Sequence, residues 1–463
     1  MRKHALPCGV FAWAAMAGSA SAATITVNTS DDPIGANLCP VVCSLRHAIT
    51  AASVLGGDTI VFAPGLASPI AVTLGDVPID RPLTIQGPGT RALTISAQNA
   101  SRVFVVYAPT TIRDLEIADG TAVGADGADA TTDAGAGGPG ASIGGGCVAI
   151  PTNVAAVFDR VAIRHCQANG GNGGKGDTTN TPQGTSGRGG DGGNAAGGAI
   201  ESYGSLSLLD SSVVDAQAHG GTGGKGGDGN GGFPLVLAGA SGRGGDASGG
   251  AIYAHNGSSL RIANSTIAQG ASIGGTGGVR SAWGVDGDGG NATGGLLLVE
   301  SGVVPADLEF STLANGSVVF GVNGGTSPNR DGTASANAVN ADANLTALSS
   351  IVVGAQSGVT LCKNAVTSAS GSVNLAEDTS CGFSAQATFA QTLVPLDVTT
   401  TPWPAYAPVA GGPAVDAAAT CLDIAAQTVT ADQHGTTRPQ GPTCDLGAIE
   451  FQPDEIFVDG FDG

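Results

Sequence analysis

Four segments of this chain share one plan: GGGCVAIPTNVAAVFDRVAIRHCQANGG, GGAIESYGSLSLLDSSVVDAQAHGG, GGAIYAHNGSSLRIANSTIAQGASIGG and GGLLLVESGVVPADLEFSTLANGS. Taking the glycine pair that ends just before the apolar residues, the second glycines are Gly146, Gly198, Gly250 and Gly295, spaced 52, 52 and 45 residues apart. A period of that size marks a repeat architecture, in which each unit buries its apolar face only against its neighbours.

Within a unit, apolar and small polar residues alternate. Leu206 and Leu208 match Leu260 and Ile262, and Val213 matches Ile267 after turns at Asp210 and Asn264. Period two means strands with one face inward. No unit holds a helix long enough for a crossover, which argues against a doubly wound sheet. Coils stacked at the strand spacing of about 4.8 Å bury a thin apolar column. The expected fold is therefore all-β, a parallel β-helix solenoid of roughly ten to twelve coils. Asp210 and Asn264, each before a Ser, then recur at one corner, where an asparagine-type ladder satisfies turn backbone groups.

The same cadence precedes the repeats in Leu83, Ile85, Leu93, Ile95, Val103, Val105, Ile112, Leu115 and Ile117, and continues after them. Coils are expected from about residue 69 to 360, with a cap over 23–68 and further coils over 361–452. The segment CSLRHAITAASV, 43–54, reads as an amphipathic capping helix with Leu45, Ala48, Ile49 and Ala52 on one face.

The N-terminus, MRKHALPCGVFAWAAMAGSASAATITV, has a basic start, an apolar run and small residues before Ala22. Residues 1–22 read as a secretory signal peptide, cut after Ala22 or Ala23. Cysteine usage agrees. Beyond Cys8, eight cysteines fall as neighbours, predicting local disulfides Cys39–Cys43, Cys147–Cys166, Cys362–Cys381 and Cys421–Cys444. Without Arg2 and Lys3 the chain has 16 basic against 38 acidic residues, net −22. Such charge disfavours nucleic acid and anionic membranes as partners. No later stretch reaches a membrane span, and a monomer is expected.

CSLRHAITAAS followed by GDTIVFAPGL resembles the N-terminal CSLREA-type motif of secreted bacterial β-helix proteins, with His47 where Glu is usual. GGPAVDAA and DQHGTTRPQGPTCDLGAIEF resemble the C-terminal motif of choice-of-anchor Q proteins, with His434 where Arg is common. The closing DEIFVDGFDG, in the segment 453–463, is similar to an acidic tail of exported proteobacterial proteins. The resemblance implies a right-handed, pectin-lyase-like β-helix, exported or at the surface of a Gram-negative bacterium. It implies no activity.

An enzyme on such a fold would most often cut acidic polysaccharide, using carboxylates on adjacent coils. Asp114 and Glu116 share a strand face, and Asp432, His434, Arg438 and Asp445 lie within one short segment. These are the catalytic candidates, although Gly435, Pro439 and Cys444 also mark the latter group as a structural turn. His165, His219 and His255 lie near coil edges. Aromatic residues are only 4% of the chain, which gives little support to a sugar-stacking platform. The sequence reading therefore favours a non-catalytic role, adhesion, matrix contact or ligand display, with a polysaccharide lyase or glycoside hydrolase as the alternative and polysaccharide or cell-surface material as partner.

Between the structured parts run glycine-rich segments near 120–145, 169–197, 220–249 and 271–294, leaving and rejoining the coil at equivalent points. They form a row of lateral loops. Asp191, Asp228, Asp246, Asp286 and Asp288 make calcium a candidate ligand, without the regular spacing of calcium nonapeptides. Two further readings stand side by side: flexible linkers, and threefold extended strands that pack against one another because no Cβ holds them apart.

Overall fold

The computed structural model describes residues 22–452 apart from 36–38, 90–91, 231, 233, 326–329, 343–344, 365 and 397–402. Of the expected signal peptide, 1–22, all but residue 22 lies outside the described residues, as does the acidic segment from 453.

The chain is a right-handed parallel β-helix. A 21-stranded sheet holds two faces of each coil, because long strands such as Thr110–Ala118 and Ala155–Asn169 bend around the corner between them. An eight-stranded sheet forms the third face and a five-stranded one a short ledge beside it. Register follows the repeat: Leu206 pairs with Leu260, Leu208 with Ile262, Val213 with Ile267 and Ile200 with Ile252. These side chains are buried in one continuous column.

Parallel pairing starts earlier than residue 69. Thr24–Val27 pairs with Asp58–Phe62, which pairs in turn with Leu83–Gln86. The cap region thus supplies the first rungs, because Ile25, Val27 and Ile60 continue the inward alternation. The capping helix spans Leu45–Ala51; Ser44 accepts from His47 N, and Leu45, Ala48, Ile49 and Ala52 are all buried at the end of the column. Arg46 fastens it, donating to Asp32 and to the carbonyls of Gly75 and Asp76.

The corner ladder is made of serine, not of Asp210 and Asn264. Those two residues take left-handed backbone, each at φ 47°, which Asp and Asn tolerate at low cost. The serines that follow turn inward and are fully buried. Ser211 N donates to Ser265 Oγ at 3.1 Å, Ser265 N to Ser311 Oγ at 3.2 Å and Ser311 N to Ser350 Oγ at 3.2 Å. Asn374 Oδ1 ends the ladder, accepting from Ser350 N at 2.8 Å. The first glycine of each repeat pair has a structural reason as well: Gly145, Gly197, Gly249 and Gly294 lie between φ 56° and 63°.

In the structure the glycine-rich segments take the packed form of the two readings. Each leaves as one extended limb and returns as another, and the limbs interleave. Gly193 N donates to Gly171 O, Gly221 N to Gly193 O, Gly245 N to Gly221 O, Gly275 N to Gly245 O and Gly290 N to Gly275 O, all at 2.8 Å. A parallel run three residues further out links Gly174, Gly190, Gly224, Gly242 and Gly278. The result is a lateral arm in which glycine at every third residue lets carbonyls reach the neighbouring backbone.

All four expected disulfides are present. Parallel pairing ends at Ala385–Gln386. Beyond it, the expected further coils are replaced by a strap that folds back over the outer side of earlier ones. Asn264 Nδ2 donates to Ala431 O, Ile424 N to Glu309, Ala448 N to Thr312 Oγ1 and Gly447 N to Ser349 O. Among the described residues no helix is long and apolar enough to cross a membrane.

Candidate functional site

Where the arm rejoins the coil, the ledge strands Ile143–Gly144 and Ala195–Ala196 meet the third face at a concave corner. The corner encloses a pocket of about 360 Å³ lined by Arg102, Asn194, Glu201, Tyr203, Tyr253 and His255 among others. Register builds it. Glu201 pairs with Tyr253 in one outward column. One residue past the strands Ile200–Ser202, Ile252–Ala254 and Leu297–Val299 come Tyr203, His255 and Glu300, held to successive coils by their backbone N–H groups.

The His255 ring lies between two tyrosines. Its centroid is 3.7 Å from Tyr203, with planes 5° apart, and 4.0 Å from Tyr253 at 21°. Its Nε2 is 2.9 Å from Glu201 Oε1 and its Nδ1 3.5 Å from Glu300 Oε1. Tyr203 Oη donates to Glu201 Oε1 at 3.3 Å, Tyr253 Oη donates to Glu300 Oε1, and Asn256 N donates to Glu300 Oε2 at 2.6 Å. One imidazole therefore bridges two carboxylates, each of which also accepts from a phenol.

Burial, and then the neighbouring Glu201, push the Tyr203 phenol up to about 12. Burial and the bond to Glu300 raise Tyr253 as well. Both phenols are therefore neutral donors near neutral pH. Burial pushes Glu300 up, but the hydrogen bonds from Tyr253 and Asn256, together with His255, outweigh it and hold the carboxyl below its usual range. Each nitrogen of Arg102 has one partner: Nε donates to Gly145 O at 2.7 Å, Nη2 to Gly144 O at 2.6 Å, and Nη1 stands 3.4 Å from Asp76. Gly144 leaves room for the Glu201 carboxylate, which a Cβ at that position would strike. An aromatic face left open beside carboxylates can hold a sugar ring by its C–H face and its hydroxyls.

Of the residues singled out from sequence, His255 lies in this pocket, and the others lie elsewhere. Asp114 and Glu116 do not pair; Asp114 holds Arg160 at 2.7 Å and Glu116 holds Arg164 at 2.9 Å, on the next coil. A left-handed turn at Asp114, φ 59°, breaks the shared face. Asp432, His434, Arg438 and Asp445 are brought together within the strap, but on its own backbone. Asp432 accepts from His434 N, Thr436 N and Glu450 N, and Asp445 accepts from Asp416 N and Phe451 N. His434 Nε2 is 2.8 Å from Trp403 O. Arg438 is buried with Glu450 at 3.1 Å and lies over the Phe310 ring; burial pulls the guanidinium down and pushes Asp445 and Glu450 up. His165 stands between Asp119 and Asp215, and His219 meets Gln217.

The calcium candidates are dispersed along the arm, each with other partners. Asp191 meets Arg188 and accepts from Arg243 N, Asp246 meets Arg243, Asp228 meets Lys225 at 2.8 Å, and Asp288 meets Arg330. Asp286 accepts from Arg280 N. Register between return limbs stacks Asp191, Arg243, Asp288 and Arg330 in one column of alternating sign. Among the described residues no three His, Cys, Asp or Glu side chains are grouped to hold a metal.

The sequence places His255 at a coil edge but does not join it to Tyr203, Tyr253 and Glu201, because aromatics were counted and not aligned. A signal existed: Tyr203, His255 and Glu300 each follow the second glycine of their repeat by five residues.

No family model matches the chain. No curated protein matches it either. Among solved structures it is similar to the pectate lyase Pel9A, at 12% identity and TM-score 0.30, over 94% of this chain and 98% of that one. It is also similar to the PL6 family alginate lyase AlyGC, at 12% identity and TM-score 0.23, over 93% of this chain and 59% of that one.

Proposed function

We propose that the protein is an exported polysaccharide-binding β-helix and that the Tyr203–His255–Glu300 column with Glu201 and Tyr253 is its ligand site. The observation that carries this reading is a pocket lined by stacked aromatic rings and the Glu201 carboxylate, with a second carboxylate, Glu300, bonded to those rings from the third of three successive coils. The charge of the pocket narrows the ligand. A uronate would meet Glu201 on the pocket wall, with the carboxylate of Glu300 adjoining through His255, while each nitrogen of Arg102 already has a partner. Neutral or amine-bearing glycans fit better than acidic ones. The four disulfides fit an exported protein, and the two terminal motifs support a place outside a Gram-negative cell or on its surface.

A second reading, glycoside hydrolysis, is favoured by Glu201 and Glu300 approaching opposite nitrogens of one imidazole. Hydrolases use carboxyl pairs about 5 to 9.5 Å apart that flank the scissile bond, so the His255 ring would have to leave the gap for this pair to act. Affinity electrophoresis and reducing-end assays on one panel of neutral, amine-bearing and acidic polysaccharides separate the two. Binding is expected, weakened at least about tenfold by Tyr203→Ala, which removes one stacked ring. Cleavage abolished by Glu300→Gln would establish the hydrolase. Retention that is indifferent to Tyr203→Ala would remove this pocket from either role.

A further inference from the structure

Two peptide bonds match the small-residue pattern of signal cleavage, after Ala22 and after Ala23, and the first coil distinguishes them. Asp58 opens the second strand and is 4% exposed. Its Oδ1 accepts from Ala23 N at 2.8 Å and its Oδ2 from Ser53 N at 2.6 Å. The Ala23 carbonyl in turn accepts from Thr59 N at 2.8 Å. Ala23 is therefore a working member of the first rung.

We propose that export cleaves the Ala22–Ala23 bond and that the α-ammonium released on Ala23 becomes the ion partner of buried Asp58. The proposal rests on reading residues 1–22 as a secretory segment. Hydrolysis adds one water: Ala22 leaves with the new carboxylate, and Ala23 nitrogen, already 2.8 Å from Asp58 Oδ1, changes from an amide to an ammonium. A single neutral donor becomes a charged group with three, beside a carboxylate that otherwise has only backbone N–H partners. Cleavage after Ala23 would remove both the donor to Asp58 and the acceptor for Thr59, leaving a buried carboxylate short of one partner. Processing and closure of the first coil would thus be one event.

N-terminal sequencing of the exported protein is expected to read Ala-Thr-Ile-Thr-Val, from Ala23. A start at Thr24 or further along overturns the proposal, whereas an exported chain that keeps residues 1–22 overturns the signal-peptide reading instead. The ion pair is tested by melting curves from pH 6.5 to 10.5 on three proteins: the processed form, its Asp58→Asn variant, and a chain begun by Met directly before Ala22 and refolded under oxidising conditions. An α-amino group titrates near 8 when free, and a carboxylate partner raises that value in the fold. Its stabilisation is complete below the free value and lost as pH rises through the folded one. The processed form should lose about 2 °C or more across that window beyond what the other two proteins lose. Superimposable pH profiles for all three proteins would refute the pair.

Discussion

Asp210 shows how a residue that folds a corner also acquires a titration. Its left-handed turn lets Ser211 point inward to the ladder, while its own carboxyl faces a pocket of about 200 Å³ with Arg261, Asn264, Glu309 and Asp423. Burial pushes this carboxyl up to about 6, with Asp159 and Asp432 adding to it and Asn264 and Arg160 opposing. The folded state therefore holds the proton more tightly than the unfolded chain. Stability falls as pH rises from about 4 to 6, by up to about 3 kcal/mol. Asp210→Asn removes that loss: denaturation at pH 7.5 should show a gain of about 1 to 3 kcal/mol, and denaturation at pH 4 almost none. An equal change at both pH values would contradict the assignment. The sequence marked Asp210 as a corner residue by its place before Ser-Ser. Its titration was not legible, because the burial comes from a strap more than 200 positions away in the chain.

Two repeated elements differ in how far the sequence disclosed them. The coils were legible because burial imposes period two on Leu206, Leu208, Leu260 and Ile262, and because glycine pairs keep the phase. The arm was not, since Gly-Gly-X composition is equally that of a flexible linker; order comes from bonds between limbs many residues apart, as from Gly224 N to Gly190 O. The pocket stands between these cases, readable from a fixed offset within the repeat but only once strand register is known. Packing of the arm makes a contrast between neighbouring positions. A Cβ at Gly224 would collide with the Gly174 carbonyl, whereas Thr222 already points its side chain to the exposed surface, meeting Asn172 Oδ1 at 2.6 Å. Gly224→Ala should cost about 1 to 3 kcal/mol and expose the arm amides of 170–193 and 220–245 to hydrogen exchange. Thr222→Ala should leave most of that protection in place. Unprotected amides throughout the wild-type arm would dismiss the packed limbs altogether.

At the scale of the molecule, a solenoid is held mainly by nearest-neighbour contacts and is weakest at its ends. One end is closed by the helix Leu45–Ala51 and, on the proposal above, by the Ala23 terminus. The other is reinforced differently. The strap bonds to Asn264, to Glu309 and Thr312, and to Ser349, which lie on three successive coils, so those coils cannot separate one at a time. Arg438, buried against Phe310 and Glu450, anchors its far part, and Cys421–Cys444 fixes the part that walls the Asp210 pocket through Asp423 and Val429. A cross-link over a loop of this length, with a separation of 23 residues, is worth about 3 kcal/mol in the chain-entropy account. The double variant Cys421→Ala/Cys444→Ala should therefore free the strap without unstacking the coils. Limited proteolysis should then cut near 422–430, the far-ultraviolet circular dichroism of the β-helix should persist, and the Asp210 carboxyl, now wetted, should titrate closer to the ordinary aspartate range. Loss of the β-sheet signal together with the new cleavage would show instead that the strap is integral to the stack, and unchanged cleavage that Arg438 and its partners hold it unaided.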